Sequence, residues 1–302
     1  MRIAVTGAGG FLGAHLVRVL LADGVAVRAM IRSGAPAPGL DGLDVERVPC
    51  DLRTDASLVE GFSGCEGVIH LAAAYVEGRD REDLLSRVNV EGTRRVLTDA
   101  TAAGVRRVVH CSTMGTCVVP GSDQPATEAD ELAPDEPSLS PYNRSKLLGE
   151  RIALGADGVE VVVVNPTAPV GAWDRKPTVT GARIRDVVLG RWPRLLAGPV
   201  NHVAASACAQ GMAQAFARGV SGERYLLGGE DVGPESFLNR VASAAGKRPP
   251  RRSWIMRARG KGAPAPGAFR VDASKARRAL GWDPGDLDAA FAEAANWFSR
   301  RT

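Results

Sequence analysis

Short apolar runs rich in β-branched residues alternate with longer stretches of helical periodicity through the first 165 residues. The apolar runs predict strands at 3–6, 25–31, 45–49, 68–71, 105–111 and 159–165. Between them the pattern predicts helices at 10–22, 56–62, 81–103 and 142–154. Strands that alternate with helices indicate right-handed crossovers and a parallel sheet covered on both faces. The unbroken valine run at 161–164 is typical of a central, buried strand.

The pattern changes after Asn165, where prolines repeatedly interrupt the chain. They stand at Pro166, Pro169, Pro177, Pro193 and Pro199. Beyond this point we expect helices at 184–189, 203–218, 273–280 and 287–300, and one strand near 224–228 that returns to the main sheet. The pattern therefore predicts a nucleotide-binding domain over 1–165 and a smaller, interleaved substrate-binding lobe over 166–302.

Composition and charge exclude several classes of protein. The 302 residues are 45% hydrophobic and 24% charged, and the net charge of +4 is far below that of a nucleic-acid-binding domain. The five cysteines form no CxxC pair, which predicts neither a metal site nor a disulfide framework. The sequence shows no leader segment and no apolar run of about 20 residues. We expect a cytoplasmic protein with a small-molecule substrate and without nucleic-acid or membrane partners.

A glycine turn, TGAGGFLG at 6–13, follows the first strand and opens the first helix. Gly7 permits a tight turn, Gly10 lets the backbone approach a pyrophosphate, and Gly13 lets helix and strand pack closely. The N–H groups at the start of the helix can then bind the phosphates. The alternative is a purely structural turn. With its complete strand–turn–helix–strand context, the motif predicts an α/β, Rossmann-type doubly wound parallel sheet that binds a dinucleotide.

The end of the second strand bears on which dinucleotide binds. An acidic residue there would accept hydrogen bonds from the ribose 2′-hydroxyl of NAD, but this chain has Ile31. Arg32 follows, and its guanidinium matches a 2′-phosphate, to which Ser33 adds a hydroxyl. The alternative is that Arg32 is an ordinary solvated charge. The electrostatics favour NADP over NAD.

A second motif, SPYNRSK at 140–146, predicts acid–base chemistry on a helix. Ser140 is a good N-cap and Pro141 suits the first helical position. Tyr142 and Lys146 are four residues apart, so they share one helix face. We expect the ammonium group to lower the phenol pKa and make Tyr142 a proton donor and acceptor. The alternative is an exposed amphipathic helix on which the two residues meet only by spacing.

The strand at 105–111 ends in two hydroxyl side chains, Ser112 and Thr113. Ligands of open α/β sheets bind at the carboxyl ends of the strands. Either hydroxyl is therefore placed to hydrogen-bond a substrate carbonyl and polarise it. The alternative is a local turn hydrogen bond.

Taken together, these motifs resemble the extended short-chain dehydrogenase/reductases. Further matching segments are DL at 51–52, HLAA at 70–73, NVEGT at 89–93, CST at 111–113 and NPTAPVG at 165–171. Within that superfamily the chain resembles the NAD-dependent epimerase/dehydratase proteins. The nearest groups are the hopanoid-associated sugar epimerases and the dihydroflavonol-reductase-like carbonyl reductases.

The resemblance implies roles for individual residues. Tyr142 would be the general acid/base, Lys146 would tune it and hold the nicotinamide ribose, and Thr113 would bind the substrate oxygen beside Ser112. Asn89 would support the site from its helix. The expected cofactor-binding residues are Gly7, Gly10, Phe11, Leu12, Gly13, Arg32, Ser33, Asp51, Leu52, Leu71, Ala72, Ala73, Lys146 and Pro166, and the substrate contacts are Tyr75, Thr113, Tyr142 and Thr167.

The resemblance also implies a homodimer formed through the helices at 81–103 and 142–154. The chain departs from the family at 202–207, where HVAASA stands in place of an HVDDVA-like segment. Both acids are lost, so inherited substrate contacts in this lobe are in doubt, and we expect His202 to be structural. The segment 247–267 holds seven Lys or Arg, four Pro and no acid. It is predicted to be a solvated loop, with contact to a phosphorylated substrate as the alternative.

Three functions follow from these observations. The leading hypothesis is an NADP(H)-dependent oxidoreductase that acts on a carbonyl or secondary alcohol. The first alternative is a sugar-nucleotide epimerase or dehydratase that keeps its NAD(P) bound. The second is a non-enzymatic protein that senses dinucleotides on the same fold.

Overall fold

A computed structural model describes residues 1–76, 81–193, 195, 198–249 and 268–301. Seven strands of this part of the chain form a parallel sheet in the order β3-β2-β1-β4-β5-β6-β9, and three more form a small sheet in the order β10-β8-β7. The strands are β1 (Arg2–Thr6), β2 (Ala26–Ile31), β3 (Glu46–Pro49), β4 (Gly67–His70), β5 (Arg107–Cys111), β6 (Glu160–Pro166), β7 (Ala168–Val170), β8 (Val200–Ala204), β9 (Arg224–Leu227) and β10 (Glu230–Val232).

Helices cover both faces of the large sheet and also pack on the small sheet. They are α1 (Phe11–Ala22), α2 (Val59–Phe62), α3 (Glu82–Leu85), α4 (Gly92–Ala102), α5 (Pro141–Leu154), α6 (Val179–Val188), α7 (Ala205–Arg218), α8 (Pro234–Ala244), α9 (Ser274–Leu280) and α10 (Leu287–Ser299). A π-helical turn, Ser86–Glu91, joins α3 to α4. No helix in the described ranges is long and apolar enough to cross a membrane.

Alternate residues of each central strand enter different cores. Val162 and Val164 of β6 belong to the larger core, which α1 and α7 cover. Val161 and Val163 belong to the smaller core, with α4 and α5 on the opposite face. This period-two division between two covered faces explains why the strand sequence is apolar at every position. The predicted fold class is confirmed.

The structure corrects two predictions of elements. The predicted helix at 203–218 starts as β8 and becomes helical only at Ala205, and the helix at 81–103 is interrupted by the π-helical turn. The strands β7, β8 and β10 and the helix α8 were not predicted, because the short strands are stabilised by partners about 30 residues away. Helical periodicity at 203–218 could not reveal that pairing. The basic segment lies outside the described residues from position 250 to 267.

All four histidines of the chain lie buried in this fold. The Nε2–H of His15 donates to the Ala172 carbonyl at 3.0 Å, and His70 bonds the Thr6 hydroxyl at 2.7 Å. Burial lowers the pKa of His15, lowers that of His70 to about 3 and that of His202 to about 4, and holds that of His110 well below its usual value. His202 packs on Phe237 with ring centroids 5.2 Å apart, which fits the structural role predicted for it.

These histidines should make stability strongly pH-dependent. Below pH about 6.5, His70, His110 and His202 protonate in the unfolded chain but stay neutral in the native protein, so each removes about 1.4 kcal/mol of unfolding free energy per pH unit. The buried Asp174 carboxyl, whose pKa is raised to about 6 by burial, opposes this with a single proton. Urea unfolding between about pH 7.5 and 5.5 should show the loss. The His202→Phe variant should show a slope smaller by one proton; an unchanged slope would contradict the assignment.

Candidate functional site

The glycine turn forms a close-packed cradle between β1 and α1. Gly7 has φ 72° and donates its N–H to the Met30 carbonyl at 3.1 Å. A Cβ on Gly7 would lie 2.7 Å from the Ala72 nitrogen, and one on Gly13 would lie 2.3 Å from the Gly7 oxygen. The Gly10 N–H donates to the Gly7 carbonyl and the Ala14 N–H to the Gly10 carbonyl, which leaves the N–H groups at 11–13 available to phosphates. The cradle fits a dinucleotide pyrophosphate.

The cradle opens into a cavity of about 840 Å³ at the carboxyl ends of the central strands. Most of the site residues predicted from sequence line it. They are Gly7, Gly10, Phe11, Leu12, Gly13, Leu71, Ala73, Tyr75, Ser112, Thr113, Tyr142, Lys146, Pro166 and Thr167. Residues far apart in sequence are thus brought to one site by the sheet.

Three predicted residues lie behind the cavity wall. Ala72 packs under Gly7 and donates its N–H to the Thr6 hydroxyl. The Asn89 amide bonds both backbone groups of Ala74 and donates to the Ser145 hydroxyl at 2.9 Å, so it joins the loop after β4 to α5. Leu52 is buried in the smaller core.

The other three predicted cofactor residues lie at the ends of β2 and β3, outside the cavity. Arg32 and Ser33 are exposed, and Asp51 is bound by Arg53, whose Nε and Nη2 donate to its carboxylate at 2.9 and 2.5 Å. This pairing lowers the pKa of Asp51 to about 2, and the charge of Arg32 acts in the same direction. Sequence analysis missed Arg53, although its spacing of two from Asp51 was a usable signal. Two guanidinium groups therefore stand beside one carboxylate at the expected adenosine end.

The helix α5 begins where its sequence predicts. The Ser140 hydroxyl accepts a bond from the Asn143 N–H at 3.1 Å, and Pro141 occupies the first turn. Tyr142 lies on the cavity wall with its ring edge-on to Tyr75 at 4.8 Å. Lys146 is 3% exposed and its Nζ donates to the Cys111 carbonyl at 2.8 Å. The alternative of an exposed helix is excluded for both side chains.

The predicted lowering of the Tyr142 pKa is wrong in this structure. Desolvation at the cavity wall raises the phenol pKa, and the neighbouring Cys111 and Tyr75 act in the same direction. Desolvation also lowers the pKa of Lys146. Burial is the largest cause of both pKa shifts. Tyr142 therefore holds its proton at neutral pH, which suits a general acid.

Thr113 takes part in the predicted turn bond and also faces the cavity. Its Oγ1 accepts a bond from the Gly115 N–H at 3.3 Å, which caps the turn Met114–Thr116. No bond donated by this hydroxyl is seen among the described residues, so its proton can be given to a ligand. The buried Ser112 hydroxyl has no hydrogen-bond partner in the described part of the chain.

Sequence analysis assigned no individual role to the residues that form the far end of the cavity. These are mostly apolar side chains that come from loops, α6, β8 and the segment after 267: Val76, Met114, Val118, Pro120, Leu139, Val179, Val200 and Phe269. Apart from Lys146, the charged residue in the described lining is Arg183. No local motif marks these positions, because they share only their place in the fold.

Substitution of Gly13 should damage the dinucleotide cradle. In the Gly13→Ala variant the new Cβ would clash with the backbone of Gly7 and Ala8, and overpacking of this kind costs about 1–3 kcal/mol. We expect a lower Tm and NADP binding at least about tenfold weaker, measured by calorimetric titration. Gly233→Ala is the control, since nothing lies within 4 Å of a Cβ there. Equal affinities for the two variants would contradict the role of Gly13.

Comparison with known proteins agrees with this geometry. The model of the NAD dependent epimerase/dehydratase family matches residues 3–228. The chain is 36% identical over 328 residues to "Sterol demethylase protein B" of Methylococcus capsulatus, covering 100% of this chain and 99% of that protein. It is 33% identical over 322 residues to a Synechocystis sp. protein named "Putative dihydroflavonol 4-reductase", covering 97% and 93% of the two.

The crystal structure of gox2253 superposes with a TM-score of 0.87 at 29% identity, over 99% of this chain and 98% of that one. The family match covers more than half of the chain, and both curated relatives are similar over nearly their full length. Reductases, epimerases and dehydratases that use NAD(P) make up this group. The chain belongs to the NAD-dependent epimerase/dehydratase family of enzymes.

Proposed function

We propose that the protein is an NADP(H)-dependent oxidoreductase that interconverts a ketone and a secondary alcohol on an apolar molecule. The observation that carries this proposal is the meeting of Thr113, Tyr142 and Lys146 in the same cavity as the glycine cradle. A protonated phenol, a hydroxyl donor and a buried ammonium group at one point suit a carbonyl oxygen that gains negative charge.

The chain's own residues have separate tasks in this reaction. When bound, the nicotinamide cofactor supplies or accepts the hydride at the substrate carbon. In reduction, Thr113 donates a hydrogen bond to the carbonyl oxygen, and Tyr142 transfers its proton to that oxygen. The Lys146 ammonium stabilises the phenolate that remains. Oxidation of the alcohol reverses these transfers, so the phenolate of Tyr142 takes up the hydroxyl proton.

The substrate class is proposed from the far end of the cavity. Side chains such as Met114, Val118, Leu139, Val200 and Phe269 offer an apolar surface to the bound molecule. The two relatives, named sterol demethylase protein B and putative dihydroflavonol 4-reductase, are named for ring compounds that are not sugar nucleotides. An apolar ketone is therefore preferred to a sugar nucleotide.

The alternatives differ in their use of cofactor. A sugar-nucleotide epimerase or dehydratase would regenerate its NAD(P) in each cycle and show no net change in cofactor absorbance, whereas the proposed reductase consumes NADPH. The non-enzymatic sensor loses its support, because the chain belongs to a family of enzymes. A homodimer through α4 and α5 remains part of the proposal and is open to test by sedimentation.

The Tyr142→Phe variant should lose about 10²–10⁴-fold in kcat for ketone reduction while it still binds NADP. Because the Tyr142 pKa is raised, reduction by the wild type should stay flat through neutral pH, and alcohol oxidation should accelerate as pH rises. Stopped-flow absorbance at several pH values measures both directions. Turnover of apolar ketones that survives in Tyr142→Phe would contradict the mechanism, and turnover of sugar nucleotides alone would favour the alternative.

Cofactor choice is proposed to depend on Arg32 and on the Asp51–Arg53 pair. Loss of a charge-assisted bond to phosphate costs about 1.5–3 kcal/mol, so Arg32→Ala should weaken NADP binding about 10–100-fold and leave NAD binding unchanged. Arg53→Ala should disfavour NADP as well, because it leaves the Asp51 carboxylate unpaired. Arg94→Ala is the control, since this exposed arginine of α4 pairs with Glu91 at the end of the π-helical turn. Equal wild-type affinities for NAD and NADP would contradict the proposal.

A further inference from the structure

One face of α5 carries a third charged or acidic group beyond the two catalytic side chains. Tyr142, Lys146 and Glu150 follow one another at intervals of four residues, so they lie along the same face of the helix. Glu150 lies two turns beyond Tyr142 and is 1% exposed. A carboxylate buried this deeply needs partners that compensate its charge.

Both carboxylate oxygens of Glu150 are bonded. Oε1 accepts from Arg224 Nη1 at 2.9 Å, which forms a buried ion pair between α5 and β9. Oε2 accepts from Asn165 Nδ2 at 2.8 Å and lies 2.9 Å from the Thr116 hydroxyl. The carboxylate therefore joins α5 to the end of β6 and to the turn after β5.

The same partners hold the backbone of Thr113. Asn165 Nδ2 donates to the Thr113 carbonyl at 3.2 Å, and the Thr116 hydroxyl lies 2.9 Å from that carbonyl. The single proton of the Thr116 hydroxyl is shared between this carbonyl and Glu150. Glu150 is thus connected to Thr113, whose hydroxyl faces the cavity, through one intervening residue, either Asn165 or Thr116.

Arg224 extends the network to the wall of the cavity. Its Nη2 donates to the carbonyls of Glu128 and Asp130, and the Glu128 carboxylate accepts the N–H of Leu226 at 2.8 Å. These contacts bind the segment after Pro120, a lining residue, to β9. Through these contacts the network joins α5, the turn after β5 and the segment that follows Pro120.

A gain in stability is a poor reason for such a cluster. Desolvation offsets most of the attraction in a buried ion pair, and apolar side chains of similar volume often stabilise a protein equally well. What the ion pair does supply is a defined geometry, because each bond is satisfied in only one arrangement. The arrangement relates Tyr142 to Thr113, and both groups must reach the same substrate oxygen.

We propose that Glu150 is a positioning residue, which acts through Asn165 and Thr116 to hold the Thr113 hydroxyl in register with Tyr142. This inference rests on the proposed roles of Thr113 and Tyr142. Glu150 itself touches neither substrate nor cofactor. A misplacement of about 1 Å at a reacting group can cost about 10²-fold in rate, so loss of this contact should be visible in kcat.

A double-mutant cycle tests the proposal. Glu150→Gln should lower kcat about 10–100-fold and leave NADP affinity unchanged. In a Thr113→Val background, Glu150→Gln should change kcat less than about twofold, because the hydroxyl that it positions is already absent. Thr116→Val should lower kcat by a smaller factor than Glu150→Gln does, and this loss should also disappear in the Thr113→Val background. Thr116→Ser keeps the hydroxyl and should therefore retain most of the wild-type kcat. Thr101→Val, on α4, is the matched control, since its hydroxyl donates to the Leu97 carbonyl in its own helix.

Two results would overturn the proposal. The first is a folded Glu150→Gln protein with kcat within about twofold of the wild type. The second is a cycle in which the losses from Glu150→Gln and Thr113→Val multiply, as independent effects do. Should Glu150→Gln not fold, the Thr116→Val cycle decides in the same way. Full activity in both Thr113→Val and Tyr142→Phe would instead refute the proposed function. That outcome differs from the two results that would overturn the role of Glu150.

Discussion

The site depends on how closely α5 approaches its neighbours. A Cβ on Gly149 would lie 2.4 Å from the carbonyl oxygen of Asn89, so only glycine allows the helix to pack this tightly on the π-helical turn. The approach brings the Lys146 ammonium to the Cys111 carbonyl at the end of β5. It also buries Glu150 among polar partners. A helix packed farther away would leave Tyr142 without a defined position at the cavity.

Burial that fixes this geometry also sets its electrostatics. Behind the cavity, the buried Glu150 carboxylate is paired with Arg224. The same low-polarity surroundings keep Tyr142 protonated and lower the pKa of Lys146. The positions of Tyr142 and Lys146 and the pKa values of these two groups therefore have the same cause, because both follow from the packing that removes water around α5.

Two parts of the structure divide recognition between them. The pyrophosphate cradle is made of backbone groups and glycines near the start of α1, which are encoded in eight consecutive residues. The substrate end is made of single side chains from several elements, among them Val118, Val179, Val200 and Phe269. The small sheet of β7, β8 and β10 brings Val200 to the cavity. Substitutions at the far end of the cavity can thus change which molecule binds without changing the residues of the cradle.

Local patterns in the sequence determined the central sheet, the glycine cradle and the shared helix face of Tyr142 and Lys146. Each depends on spacings of two to seven residues, which the backbone geometry of a strand, a turn or a helix converts directly into positions. Only the tertiary structure decided the small sheet, the apolar far end of the cavity and the bonds of Glu150. It also reversed the expected pKa shift of Tyr142. These features depend on burial and on contacts between distant segments, and no short-range pattern records what the folded chain places beside a residue.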